Sequence, residues 1–118
     1  MTYVKINGNI YPAEISGRTH DSEWDNRDSK SITLKMDYAT ASALFVDGVA
    51  WAIVYKQEVQ TYDKNGEQIG TEMQTTEYNN VEYCISGDIT DHRDGRITVK
   101  MGKLTDLEQA YEMMLGGM

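Results

Sequence analysis

Cysteine and proline are almost missing from this chain, which has one of each, Cys84 and Pro12, in 118 residues. A lone cysteine excludes an intramolecular disulfide and a cysteine-rich zinc site. Histidine is nearly as scarce: His20 and His92 both sit in polar stretches. A nucleophilic cysteine needs an activating base, so Cys84, within Val81-Glu82-Tyr83-Cys84-Ile85, reads as a small strand residue on the face opposite Val81, Tyr83 and Ile85. No apolar run approaches the roughly 20 residues of a membrane-spanning helix. The opening Met1-Thr2-Tyr3-Val4-Lys5-Ile6 lacks the basic and long apolar regions of a signal peptide. The expectation is a chain that starts at Met1 and is cytoplasmic when synthesised, or is carried out within an assembly such as a virion.

Positive charge is also short, with 11 Lys and Arg against 19 Asp and Glu, a net charge of −8. That balance argues against binding nucleic acid, whose phosphates demand a basic footprint. An acidic surface chiefly gives solubility. The sharper alternative, an acidic regulator or inhibitor that mimics nucleic acid, requires a concentrated acidic face, whereas the acids here are interleaved with Lys and Arg.

Motifs that carry chemistry are absent too. There is no G-x-S-x-G, no phosphate-binding loop and no G-x-G-x-x-G. Asp88, Asp91, His92 and Asp94 form the densest group of metal-capable side chains, but their spacing fails the calcium-loop pattern. Asp21, Glu23 and Asp25 alternate, which without a glycine-shaped loop reads as a solvated acidic loop. Pairs of carboxylates have no pocket-forming segment beside them. The sequence therefore predicts no enzyme, no catalytic residue, no cofactor and no metal.

What the chain does have is a series of short alternating apolar runs joined by turn dipeptides. Asn7-Gly8, Asn65-Gly66 and Asp94-Gly95 each lie between β-prone segments, the strongest short-range hairpin signal. Residues 2–6 and 9–15 form a first hairpin, with Asn7-Gly8 suited to a type I′ turn and Pro12 marking an edge or an irregularity. Residues 17–29 read as a long polar loop carrying Trp24, which either projects as an interaction site or folds back onto the core. Ser31 to Met36 alternates as a half-buried strand. Asp37 caps a short helix over 38–46, with Gly48 following it.

Val49 to Tyr55 is apolar on both faces, whereas 56–62 and its partner 67–78 are polar on both. Such a ribbon cannot lie over a core, so the 56–78 hairpin should project. Tyr55, Tyr62, Ile69, Met73 and Tyr78 lie on or near it, and tyrosine is a preferred interface anchor. Val81 to Ile85 reads as a strand broken by Gly87-Asp88, and 96–101 as another with Ile97, Val99 and Met101 inward. Thr105-Asp106-Leu107-Glu108 matches a capping box. Leu107, Ala110, Tyr111, Met114 and Leu115 then form an apolar stripe over a helix at 105–115, closed by Gly116-Gly117, which must dock on the sheet, the commoner outcome, or on a partner subunit.

Three segments carry a resemblance: Tyr3-Val4-Lys5-Ile6-Asn7-Gly8, Trp24 to Leu34, and Ala43 to Trp51. Together they make the first half of the chain resemble small proteins from the tail or baseplate region of prophages of Gram-positive bacteria. The resemblance implies a non-enzymatic structural component that contacts other tail proteins, and it carries over no functional residue. The reading is one α+β domain over 1–118: a mainly antiparallel, twisted sheet or small open barrel of six to seven strands, two short helices (38–46 and 105–115) and a projecting hairpin (56–78). Its expected partners are other protein subunits, its own copies included, and neither nucleic acid nor membrane. The expected contact residues are Trp24, Tyr55, Tyr62, Ile69, Met73 and Tyr78.

Overall fold

The computed structural model describes residues 1–116, the last two by backbone alone. Seven strands, β1 (Thr2–Ile6), β2 (Asn9–Asp21), β3 (Arg27–Lys35), β4 (Trp51–Tyr62), β5 (Gln68–Asn79), β6 (Ile85–Asp91) and β7 (Arg96–Gly102), are joined by helices α1 (Tyr38–Leu44) and α2 (Asp106–Gly116). The strands form one antiparallel sheet in the order β5-β4-β1-β2-β3-β7-β6. This is the α+β twisted open sheet that the alternating runs predict.

The sheet is two half-sheets sharing β2 as a corner. Asn9 to Pro12 pair with β1, and Ala13 to Asp21 pair with β3. Pro12 stands at the changeover, where its missing N–H costs no ladder bond on the side that has not yet met β3. Asn7 and Gly8 have φ of 51° and 79°, the left-handed pair that a two-residue hairpin turn needs. The fold at β2 brings Val4, Ile6, Trp51 and Ile53 against Ile32, Leu34, Ile97, Val99 and Met101 in one core, and Ala41 and Phe45 of α1 complete it.

Asp37 caps α1 by accepting the Thr40 N–H at 2.6 Å. The helix ends at Leu44, two residues before the predicted Val46. Gly48 has a φ of 80°, but it lies in the turn beyond, where its N–H donates to the Cys84 carbonyl at 2.8 Å.

Three expectations are corrected. Residues 17–29 are not a long loop: β2 and β3 run to Asp21 and from Arg27, leaving only a tight turn between them. Residues 81–84 are not strand, and of the predicted run only Ile85 is, as the first residue of β6. Asn80 to Cys84 form a strap across the mouth of the curl, held where the Asn80 N–H donates to the Trp51 carbonyl and Trp51 Nε1 donates to the Tyr83 carbonyl, both at 2.9 Å. The true strand is β6, which takes Gly87-Asp88 in as a bulge between Ser86 and Ile89.

The third correction concerns α2. Its capping box forms as the motif requires, with the Thr105 N–H donating to Glu108 Oε1 at 2.9 Å and the Glu108 N–H to Thr105 Oγ1 at 3.2 Å. The stripe, however, does not dock on the sheet: Leu107 is 81% exposed, and Tyr111 and Met114 are also exposed. The Leu115 side chain and Gly117 lie outside the described residues.

Candidate protein-interaction surface

The β4–β5 ribbon divides the molecule. At its base, Trp51, Ile53 and Val54 are buried; beyond Tyr55 the side chains become polar and lie largely in solvent. All twelve residues of β5 are exposed. Polar side chains predominate on both faces and leave too little apolar surface for the sheet to cover, so the ribbon leaves the body. The consequence is a molecule 62 × 40 × 27 Å with a radius of gyration of 18.2 Å, against about 13–14 Å for a compact chain of this length.

The tip is a five-residue turn rather than a two-residue one. Asp63 Oδ1 accepts the N–H groups of Asn65 and Glu67, at 2.8 and 3.0 Å, and Gly66 takes the left-handed conformation with φ 82°. An Asp side chain that organises its own turn explains how the tip keeps its shape without a core.

The predicted contact residues fall into three groups. Tyr55 and Tyr78 meet edge to face near the base, centroids 5.6 Å apart, a geometry that stabilises aromatic pairs. Tyr62, Ile69 and Met73 lie further out, each more than half exposed. The Tyr62 hydroxyl donates to Gln60 Oε1 at 2.8 Å. Trp24 does not join either group. It folds back onto the sheet at the glycines of β6 and β7: a Cβ built on Gly87 or on Gly102 would stand 2.7 Å from the ring.

The guanidinium of Arg27 and the ammonium of Lys100 lie 5.0 and 5.5 Å from the Trp24 ring centroid. Beneath the turn, buried Asp21 pairs with Lys100 and accepts the Ser29 hydroxyl at 3.1 Å. Lys100, with the Glu23 N–H and the Ser29 hydroxyl, holds the Asp21 carboxyl below the usual carboxylate range against the opposing effect of burial. The acidic loop is thus a packed turn with internal partners.

A further exposed apolar surface is the stripe of α2. Its signal was present as helical periodicity; what the sequence did not show is that no element of the described fold covers it. Burial pushes the Lys30 ammonium down and the Tyr83 hydroxyl up where the strap closes, and Lys30 lies 4.5 Å from the Tyr83 ring centroid while donating to Asn80 Oδ1.

Three of the four metal-capable residues of the β6–β7 turn have local partners. Asp91 Oδ1 accepts the Arg93 N–H at 2.8 Å, Asp94 pairs with Arg96 at 2.9 Å, and His92 Nε2 meets Thr98 Oγ1 at 2.8 Å. Among the described residues there is no group of three or more His, Cys, Asp or Glu able to hold a metal ion, and no helix is long and apolar enough to cross a membrane. Comparison of the chain with protein-family models, with curated proteins and with solved structures finds no match.

Proposed function

We propose that the protein is a non-enzymatic assembly component whose β4–β5 arm is gripped by another protein subunit. One observation carries this reading: twelve consecutive β5 residues are exposed in a strand that extends away from the core. A two-stranded ribbon is marginal in water on its own, so an arm of this length makes physical sense when something outside the fold supports it. Tyr55, Tyr62, Ile69, Met73 and Tyr78 supply the apolar contacts, and Gln and Thr side chains on both strands supply the hydrogen bonds. A phage tail or baseplate is the form of assembly we favour, on the resemblance of the first half of the chain alone. Nucleic-acid mimicry gains no support from the geometry, because Glu77, Glu23, Asp94 and Glu82 each pair with a Lys or Arg of their own surface.

The test is a register-matched shortening of the arm. Gln57 faces Gln74 and Glu58 faces Met73 across the ribbon, so residues 58–73 are removed and Gln57 is joined to Gln74 through Asn-Gly. The shortened protein is expected to keep its circular dichroism and thermal transition. In size-exclusion of native extract from producing cells the intact chain is expected within a large complex and the shortened one outside it. A shortened protein that unfolds, or one that keeps its place in the complex, refutes the proposal.

A further inference from the structure

β5 is the open edge of the sheet, with β4 on one side and no strand on the other. Such an edge is a template for pairing, and sheets that stay single protect it with lysine, proline, a bulge or brevity. Over Gly70 to Asn79 β5 has none of these protections; its one irregularity, at Ile69, lies at the tip end of the ribbon. Its twelve residues, QIGTEMQTTEYN, contain no Lys and no Pro, and its register with β4 runs unbroken from Gly70 to Asn79.

Resting on the role of the arm argued above, we propose that the edge is occupied by β5 of a second copy of this chain, paired antiparallel about a two-fold axis so that the two sheets become one. The charge pattern of the strand selects this occupant. Residues facing each other across a two-fold antiparallel pair lie on the same side of the sheet, so they are separated in sequence by an even number. Glu72 and Glu77 are the only charged residues of β5, and they are separated by five positions, which puts them on opposite sides. No two-fold register can set one against the other, and only registers centred on Glu72 or Glu77 set a glutamate against its own copy.

Between them lies the uncharged run Met73-Gln74-Thr75-Thr76. With the axis at Met73, Glu72 faces Gln74 and Glu77 faces Ile69. With the axis at Gln74, they face Thr76 and Thr71. Either register overlaps nearly the whole strand and lays each arm toward the body of the other copy, which supplies the support that a lone ribbon lacks.

The intact chain, measured by light scattering over a range of concentrations, is expected to pass from 13.4 kDa to twice that mass. Met73→Lys and Gln74→Lys place a lysine at or beside the axis. Whichever lysine falls on the axis faces its own copy and should raise the dimer dissociation constant about two- to fivefold, whereas Gln74→Lys with the axis at Met73 would face Glu72 and tighten the dimer; circular dichroism should not change, because both residues are exposed. In a Cys84→Ser background, Met73→Cys or Gln74→Cys, whichever lies on the axis, should oxidise to a linked dimer, since directly facing strand residues are within disulfide reach. Ile69→Cys, facing residue 77 or 79, should not.

A monomeric mass at every concentration, or linkage equally efficient at Ile69→Cys, overturns the self-pairing. If that happens while the shortened arm still loses its place in the cellular complex, the grip on the arm belongs to a different protein and the reading of the previous subsection stands. A dimer that survives shortening of the arm overturns the self-pairing, and the reading of the previous subsection then rests on the cellular complex alone.

Discussion

Trp24 shows how one residue can reorganise a stretch that looks like loop. Gly87 and Gly102 leave a trough in the outer face of β6 and β7, and the ring fills it. A methyl group added at Gly102 would meet the Trp24 ring and the Arg27 side chain, both at 2.7 Å. Gly102→Ala is expected to cost about 1–3 kcal/mol by overpacking. Because Trp24→Ala removes the ring's share of the clash and leaves that of Arg27, the double substitution should be less destabilising than the two singles together, a coupling read by urea titration of the four proteins.

The same turn makes stability depend on pH. Asp21 is held low by Lys100, and Glu108 by the Thr105 N–H and then by Arg27. Groups with folded pKa below the unfolded one contribute stability above the unfolded values, 3.8 for Asp21 and 4.5 for Glu108, and that contribution is lost as pH falls through the folded values. The thermal midpoint should be flat between about pH 7 and 5 and fall below about pH 4.5. Asp21→Asn should start from a lower midpoint at neutral pH, with Lys100 left unpaired, and show a shallower acid limb.

Elements inherit these residue-level facts unevenly. α2 is held mainly at its first turn. Arg27, its side chain only 5% exposed, donates through Nη1 to Glu108 Oε1 at 2.8 Å and to the Lys103 carbonyl at 3.1 Å. Beyond that turn the helix has no sheet beneath it, and eleven residues are too few for a stable helix in water. Glu108→Ala removes the side-chain half of the capping box and the latch together, so amides of 106–116 should exchange at least about tenfold faster while those of β3 and β7 barely change. Uniform acceleration across the molecule would show instead that α2 belongs to the cooperative core.

The same unevenness decides what was legible. β1, the first half of β4 and β7 could be read because one face of each is apolar and buried. The turn at Asn7-Gly8 and the cap at Thr105 could be read because local backbone chemistry dictates them. The extension of β2 and β3 was not, because its outer face packs charge against an aromatic ring, and Arg18, Asp21 and Arg27 in sequence look like solvent-facing residues. The periodicity of α2 was legible, but periodicity identifies an apolar face without identifying what lies against it.

At the scale of the whole molecule, two regions of opposite character share one sheet. The curled body closes where the Asn80 strap joins the strand ends. Buried Asn80 donates to the Tyr78 carbonyl at 2.9 Å and accepts from Lys30. Asn80→Ala should cost about 1–3 kcal/mol through the unsatisfied groups it leaves. The arm contributes differently, because its surface lies in water both before and after unfolding.

That difference can be measured in the steepness of unfolding. The denaturant slope follows the surface newly exposed, not the number of residues. Removing residues 58–73 takes out about a seventh of the chain, so a compact protein would lose roughly that share of its slope. Here the slope and the urea midpoint should both stay nearly constant, measured at concentrations where light scattering shows a monomer. A proportional fall in slope would mean that the ribbon rests on the body in solution. An unchanged slope means that those residues do no work inside the monomer, which is the physical condition for a surface kept for contact with another chain.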